Sequence, residues 1–296
     1  NKLRQITEFP GGGKTVPVTL LPGKKFQTIT GFGGSFSESS AYLLTKLSKK
    51  NRDLILDAYF SSNGARYSLT RTQINSSDFS LGNYSYAPVK GDKELTHFTI
   101  DEDRDDIIPM IKDAMSRSED GFKIIASPWT APPWMKDNGN WVGGKLLPEY
   151  RDCWALFFSK YISAYKNEGI DIWAVTVENE PLGNGGNWES MIFTPEEMVE
   201  FVHNHLGPTF ETHGQQVKIL AYDQNRGQEL EDWAKVIYKD DASSEYFDGF
   251  AIHWYGSTFD WFPKSLVFTH EQAPEKHIIQ TEACMDAEVP HWNEEA

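Results

Sequence analysis

Residues 123–180 contain the pattern that decides the fold. They begin with an apolar run, KIIASPW at 123–129, continue through an amphipathic segment at 152–168, and end with a second apolar run, IDIWAVTVENE at 170–180. Short apolar runs of this kind are typical of buried strands, and apolar residues three or four apart are typical of a helix with one buried face. Strand, helix and strand in this order predict a βα-repeat with parallel strands.

The same alternation runs through the rest of the chain. We predict seven strands, at 27–36, 66–74, 123–129, 170–180, 217–222, 248–255 and 277–284. Helices are predicted at 37–48, 51–60, 103–118, 152–168, 195–206 and 230–238. This repetition predicts the α/β class and a (β/α)8 TIM-type barrel. Because such a barrel closes with eight parallel strands, we expect this one to lack its last βα unit.

The two ends of the alternation suggest a domain organisation. Residues 1–26 precede it, and residues 15–21 alternate polar and apolar, so we predict an N-terminal β segment belonging to an accessory β-element. Residues 27–296 are predicted to form the catalytic barrel. The long segments 75–99, 130–150 and 181–193 follow strands rather than helices, so we expect the functional residues at the C-terminal ends of the strands.

The composition narrows the class of ligand. The 296 residues include 28 Lys and Arg against 43 Asp and Glu, a formal net charge of −15. This charge argues against a nucleic-acid partner, which needs a basic face. We expect a soluble protein, since no uncharged stretch is long enough to span a bilayer. The 10 Trp, 12 Tyr and 18 Phe favour a cleft that stacks on sugar rings, although most of them must belong to the core.

The cysteines and the first residues add little. Cys153 and Cys284 lack Cys-x-x-Cys spacing, and we expect both to be buried free thiols. The sequence begins with Asn1 and shows no basic-then-apolar signal segment.

Two acidic residues are the strongest candidates for chemistry. Glu180 and Glu282 each end an apolar predicted strand, so both side chains are expected at the same edge of the sheet. Glycosidic bond hydrolysis needs a proton for the leaving oxygen and a partner for an oxocarbenium-like carbon, and two carboxyl groups supply both. Glu178 points to the same side as Glu180 by strand alternation, and we interpret it as a supporting carboxylate deeper in the strand.

Six blocks of sequence, in order along the chain, resemble one known family. They are TGFGGS at 30–35, SDFS at 77–80, ASPWTAPPW at 126–134, WAVTVENEP at 173–181, HWY at 253–255 and TEAC at 281–284. The chain resembles glycoside hydrolase family 30, the glucosylceramidase-like retaining β-glycosidases, over residues 26–284. The family's accessory β-sandwich, built from both chain ends, is mostly missing from this sequence.

The resemblance implies a role for each matching residue. It implies that Glu180 is the general acid/base and Glu282 the nucleophile. Substrate-binding positions carried over from the family are Asp78, Trp129, Asn179, Arg71, His253 and Tyr255. Among these, Arg71 and Tyr255 are expected beside the nucleophile, where their donors would keep Glu282 ionised. The resemblance implies no metal and no cofactor.

The implied activity is double-displacement hydrolysis of β-glucosidic linkages, in a glucosylceramide-like glycoside or a β-1,6-glucan. The implied partner is a carbohydrate, and the implied location is secreted or periplasmic. The sequence leaves open a β-xylosidase or β-galactanase on the same scaffold, and a carbohydrate-binding barrel without turnover. A metal-dependent hydrolase using His203, His205, His253 or Asp223 is disfavoured, since no His-x-x-x-His pair exists.

Overall fold

The computed structural model describes residues 18–257 and 259–284. Contact clustering divides the chain into two units, Asn1–Thr30 and Gly31–Ala296. In the first unit, the described residues 18–30 contain a turn, closed by Lys24 N donating to Leu21 O, and neither helix nor strand. Residues 1–17 lie outside the described part, so the N-terminal β segment stays a prediction.

The second unit is built on one parallel sheet whose strands follow each other in chain order. The strands are β1 (Ser35–Phe36), β2 (Leu69–Ile74), β3 (Lys123–Pro128), β4 (Ala174–Thr176), β5 (Lys218–Asn225), β6 (Gly249–His253) and β7 (His277–Glu282). Each neighbouring pair is parallel. This is the arrangement of a (β/α)8 barrel, and the described residues supply seven of its eight strands. The predicted fold class and the order of the seven strands are confirmed, but β1 is only Ser35–Phe36, whereas the predicted strand covers 27–36.

Helices cover the outside of the sheet. They are α1 (Glu38–Lys46), α2 (Lys49–Phe60), α3 (Asp101–Arg104), α4 (Ile107–Met115), α5 (Arg151–Asn167), α6 (Pro195–Phe201), α7 (Gly207–Thr212), α8 (Gln228–Ile237), α9 (Asp241–Ser244) and α10 (Pro263–Gln272). Thr194 and Glu197 form a capping box at the start of α6, and Gly169 adopts a positive φ just after α5. No described helix is long and apolar enough to cross a membrane.

Several helix boundaries differ from the predictions. The predicted helix 103–118 is two helices, because the Asp106 side chain accepts from Ile107 N at 2.6 Å and starts a new helix there. After α6 the chain forms a wide π-helical turn, Val202–Leu206, just before Pro208, whose missing N–H cannot continue a regular ladder. The sequence reading did not find α9 or α10.

The inner face of the sheet changes from apolar to polar along the strands. A small apolar cluster inside the barrel consists of Ile125, Ala174, Leu220, Ala251 and Ile279. Side chains two residues further along β3, β4, β6 and β7 lie on the same face, and they are Ser127, Thr176, His253 and Thr281. The inner face of the sheet is therefore packed with apolar side chains at its centre and is polar at the C-terminal ends of the strands.

Strand β5 reaches this polar layer differently. The register between β5 and β6 shifts at Tyr222 and Gln224, and both Tyr222 and Asp223 have positive φ, of 76° and 55°. A bulge of this kind re-aims the side chains that follow it. As a result Asp223, three residues after Leu220 rather than two, joins the polar layer.

Candidate active site

Glu180 and Glu282 meet above the polar layer. Glu180 follows β4 with a positive φ of 50°, and its backbone N–H donates to Asp223 O at 3.0 Å. Glu282 ends β7 and pairs in register with His253 of β6. One carboxylate oxygen of each glutamate and a ring nitrogen of His253 all lie within 4.8 Å of one another. The structure therefore brings the two predicted carboxyl groups together.

Two donors hold the two oxygens of Glu282 separately. Arg71 Nη1 donates to Oε2 at 2.5 Å, and Tyr255 Oη donates to Oε1 at 3.0 Å. A positive charge and hydrogen bonds to the anion both favour the ionised carboxylate. Burial, then the contact with Cys284 and the charge of Glu282, raises the pKa of Tyr255, so its hydroxyl keeps its proton for this bond.

Arg71 is the centre of a larger network. Its Nε donates to Ser127 Oγ at 3.0 Å, and its Nη2 donates to Asn179 Oδ1 at 2.9 Å and to Asp223 Oδ2 at 2.7 Å. Its guanidinium carbon lies 4.8 Å from the centre of the buried Trp129 ring, a cation–π distance. Burial lowers the pKa of Arg71, but the charges of Asp223 and Glu282 raise it by more, so the pKa is above its ordinary value and the group stays charged.

Asp223 anchors the network from below, and the sequence analysis considered it only as a metal ligand. It accepts from Arg71, from Thr176 Oγ1 at 2.7 Å and from Thr281 Oγ1 at 2.5 Å, and its Oδ1 lies 3.0 Å from His253 Nε2. Burial raises its pKa, but Arg71 and the bonds from His253 and Thr281 lower it well below its ordinary value. Its position directly after the predicted apolar strand 217–222 was the feature of the sequence that could have identified it as a site residue.

His253 lies between Asp223 and Glu180. Its Nε2 faces Asp223 and its Nδ1 lies 3.5 Å from Glu180 Oε1. Burial lowers the pKa of His253, but the bond to Asp223 and the contact with Glu180 outweigh it and raise the pKa to about 9. The raised pKa favours the protonated imidazolium form of His253 at neutral pH.

Comparison with known proteins supports one family. The sequence pattern described as the glycosyl hydrolase family 30 TIM-barrel domain matches residues 29–293. The chain belongs to this family.

The relatives with family 30 sequences include two glucosylceramidases. The chain is 37% identical over 279 residues to the putative glucosylceramidase 3 of Caenorhabditis elegans, covering 91% of this chain and 53% of that protein. It is 36% identical over 282 residues to the lysosomal acid glucosylceramidase of Mus musculus, covering 92% and 55%. The chain thus spans about half the length of these curated relatives.

A solved structure gives the same family. The structure of an endo-β1,6-glucanase superposes with a TM-score of 0.82 at 36% identity, covering 90% of this chain and 60% of that one. The predicted resemblance to family 30 is confirmed.

Within this family 30 site, the remaining predicted residues take different positions. Asn179 is buried, and Arg71 fixes the orientation of its amide. Asp78 is exposed as a residue, yet partial burial of its carboxyl, then the charge of Glu282 and that of Glu180, raises its pKa to about 6. Asp78 is therefore electrostatically coupled to the pair.

The metal-ligand alternative does not fit the geometry. His203 Nδ1 lies 3.7 Å from Glu245 and His205 Nδ1 lies 2.6 Å from Asp152 on the outer helices, so the histidines do not join Asp223. Across residues 18–257 and 259–284, the one cluster of three such groups close enough for an ion is Glu180, His253 and Glu282.

One expectation about the thiols is wrong. Cys153 is buried as predicted, but Cys284 is exposed. Its Sγ lies 2.8 Å from Tyr255 Oη and its N–H donates to the same oxygen at 3.1 Å. Because Cys284 follows the end of β7 by two residues, it lies beyond the apolar layer, at the polar end of the strand. The sequence analysis placed it inside the strand.

Proposed function

We propose that the protein carrying this chain is a retaining β-glycosidase that cleaves β-glucosidic linkages by double displacement. The observation that carries the proposal is the approach of Glu180 and Glu282 oxygens to within 4.8 Å. Retaining enzymes hold their carboxyl groups about 5–5.5 Å apart, whereas inverting enzymes need about 6.5–9.5 Å to admit a water. This short separation supports direct attack by one carboxylate.

The different surroundings of the two acids support their roles. Glu282, with a donor on each oxygen, is proposed as the ionised nucleophile that attacks the anomeric carbon. Glu180, in its protonated form, gives its proton to the departing glycosidic oxygen as that bond breaks. The resulting glycosyl ester on Glu282 is then attacked by water. Glu180 takes a proton from that water, and the bond from the sugar to Glu282 breaks.

The buried network assists both steps. Arg71 and Tyr255 hold Glu282 in one orientation. They also stabilise the negative charge that returns to its carboxylate when the ester is cleaved. Asn179, oriented by Arg71, is proposed to bind the sugar beside the nucleophile, and Asp78 to bind hydroxyl groups at the cleft surface. Trp129 is buried with its ring against the guanidinium of Arg71, and it is proposed to line the sugar pocket.

The names of the relatives support a β-glucoside as substrate. The names of the glucosylceramidases and of the endo-β1,6-glucanase share a β-linked glucosyl unit, so we propose a glucosylceramide-like glycoside or a β-1,6-glucan. We also propose a secreted or periplasmic protein with residues 27–296 as its catalytic barrel and residues 1–26 in an accessory β-element. Cell fractionation with an antibody to the chain checks the location.

Two variants test the roles. We expect Glu282→Gln to reduce hydrolysis of an aryl β-glucoside to background, with or without a chelator. Glu180→Gln is expected to slow substrates with poor leaving groups by roughly 10²–10⁴-fold, the usual contribution of a positioned acid, and activated aryl glucosides far less. The exposed Glu149, changed to Gln, is the control and is expected to keep full activity.

Azide distinguishes the two roles. In Glu180→Ala, azide is expected to restore turnover of an activated aryl glucoside and to form a β-glucosyl azide, because Glu282 still makes the intermediate. An α-glucosyl azide from this variant contradicts the assignment. Binding of glycans by the wild-type protein without release of sugar supports a carbohydrate-binding barrel instead.

A further inference from the structure

Two long loops beside Glu180 are joined to each other edge to edge. One follows β3, at residues 130–150, and the other follows β4, at residues 181–193. Ser190 N donates to Trp141 O at 3.1 Å and Ile192 N donates to Gly144 O at 2.9 Å. Gly143 N donates to Ser190 Oγ at 2.9 Å. These backbone contacts make the two loops one wall of the cleft.

A single buried lysine lies under this wall. Lys136 is 3% exposed, and its Nζ donates to oxygens of both loops. The four acceptors are Thr130 Oγ1 at 2.7 Å, Gly143 O at 2.6 Å, Ser190 O at 2.9 Å and Trp141 O at 3.2 Å. An ammonium group has three hydrogens, so one of them is shared between two acceptors. The side chain thus binds carbonyl groups on both sides of the join.

The electrostatic surroundings explain why a cation is tolerated there. Burial lowers the pKa of Lys136 to about 8 and raises the pKa of Glu178, while the attraction between the two groups acts against both shifts. Glu178 is fully buried at the end of β4, and neither of its carboxylate oxygens has a hydrogen-bonding side-chain partner in the described part of the chain. The ring of carbonyl oxygens around Nζ replaces the water that the ammonium loses.

The wall is placed where a leaving group departs. The second loop begins at Pro181, directly after Glu180, and Phe193 N closes its base on Pro181 O at 3.1 Å. Asn83 Nδ2 donates to Glu189 Oε1 at 2.6 Å, and this bond connects the loop that carries Asp78 to the wall. Since the acid/base must touch the glycosidic oxygen that leaves, the surface next to Glu180 contacts the leaving group. Trp141 and Trp188 on these loops are partly exposed and offer indole surface to a sugar.

We propose that Lys136 is a positioning residue that fixes the leaving-group side of the cleft by holding these two loops together. The inference rests on the proposed glycosidase function and adds a residue that governs which leaving groups are accepted. A small aryl group, which departs readily and needs little support, does not depend on the wall. A glycosyl leaving group does, because it must be oriented toward the proton of Glu180.

The test compares Lys136→Met with Lys145→Met in the purified protein. Lys145 lies on the same loop, but its side chain is 45% exposed and pairs with Glu197 at 2.6 Å rather than joining the two loops, so it is a matched control. We expect Lys136→Met to lower kcat/KM for a β-1,6-linked glucose disaccharide by about 10²-fold, the usual effect of misplaced binding groups. For an aryl β-glucoside the change is expected to stay within about threefold. Lys145→Met is expected to change neither.

A second readout separates positioning from general damage. The glycosyl-enzyme formed from the aryl glucoside partitions between water and added glucose as acceptor, which must bind on the leaving-group side. We expect this transfer to fall in Lys136→Met while total release of the aryl group is kept. Equal losses on both substrates, with an unchanged partition, assign Lys136 a purely structural role and overturn the proposal.

A milder variant covers the case in which Lys136→Met does not fold. Ser190→Ala leaves Lys136 in place and removes the bond that Gly143 N donates to Ser190 Oγ, together with the longer contacts of this hydroxyl to Asn184 Oδ1 and Trp188 O. It is expected to give the same selective loss at smaller size. No selective loss in Ser190→Ala overturns the proposal in that case. Wild-type hydrolysis of the aryl glucoside reports on the proposed function, whereas the ratio between the two substrates reports on Lys136. The two failures are thus distinguishable.

Discussion

At the scale of single residues, the site depends on alternating charges that are stacked inside the barrel. Glu282, Arg71, Asp223 and His253 follow one another at hydrogen-bond distance, and each acid touches a cation. Removing one partner of a buried pair leaves the other charge uncompensated, which typically costs about 3–5 kcal/mol. The network therefore acts as a unit rather than as separate contacts.

His253 gives this network a dependence on pH. Its ordinary pKa is 6.5 and its pKa in the folded protein is about 9. A group whose pKa is raised on folding contributes stability that is fully present below pH 6.5 and is lost as the pH rises through about 9. We expect the wild-type free energy of unfolding to fall across this window, and His253→Gln to fall less.

Chemical denaturation at a series of pH values measures this difference. The contribution of His253 is roughly 2–4 kcal/mol over the window, given about 1.4 kcal/mol for each pKa unit. The exposed His213, changed to Gln, is the control and is expected to follow the wild-type curve. Parallel curves for wild type and His253→Gln would show that the histidine is not charged in the folded state.

At the scale of elements, close backbone approach sets the geometry of the first two strands. The TGFGGS segment at 30–35 leads into β1, which pairs with β2. A Cβ atom on Gly33 would lie 1.7 Å from Leu69 O, so no side chain fits between this segment and β2. Arg71 lies two residues after Leu69, and the approach at Gly33 therefore helps to place the guanidinium.

We expect Gly33→Ala to be destabilising because the overlap involves backbone and cannot be relieved by a rotamer change. Overpacking of this kind typically costs about 1–3 kcal/mol. Gly82→Ala is the control, since nothing lies within 4 Å of a Cβ built there. The midpoint of urea denaturation distinguishes the two variants. Equal midpoints would mean that β1 moves away from β2 at little cost.

The elements also show what local sequence patterns capture. The seven apolar runs predicted seven strands, because burial on both faces gives parallel strands a continuous apolar sequence. The strand ends were less predictable: β4 is Ala174–Thr176, whereas the predicted strand covers 170–180 and burial is continuous over 174–180. Burial continues past the point where the ladder of hydrogen bonds stops, and a hydropathy pattern reports only burial. The bulge in β5 had no sequence signal of its own.

At the scale of the whole molecule, another buried acid, Asp103, links the loop after β2 to the outer helices. Asp103 of α3 is fully buried and accepts from Tyr86 and Tyr165, both at 2.6 Å, and from Tyr84 at 3.0 Å. Tyr84 also accepts from Gln73 at 3.1 Å, which in turn contacts Ser77 and Ser80 on either side of Asp78. The packing of the outer layer is therefore connected to the cleft.

We expect the titration of Asp103 to lower the free energy of unfolding as the pH rises from acidic to neutral. Burial raises its pKa from 3.8 to about 7, although bonds from Tyr165, Tyr86 and Tyr84 act against this. The contribution is fully present below pH 3.8 and is lost as the pH rises through about 7. We expect Asp103→Asn to gain stability relative to wild type between these pH values. Thermal unfolding of both proteins, with the exposed Asp105→Asn as reference, measures the gain. A constant difference would contradict it.

The sequence by itself determined the order of the strands, the fold class and the family. These follow from patterns within a few residues, or from motifs that match the family block by block. The tertiary structure alone decided the distance between Glu180 and Glu282, the entry of Asp223 into the site and the four acceptors of Lys136. The reason is physical: Arg71 and Glu282 are 211 positions apart, and their contact depends on the register of every strand between them.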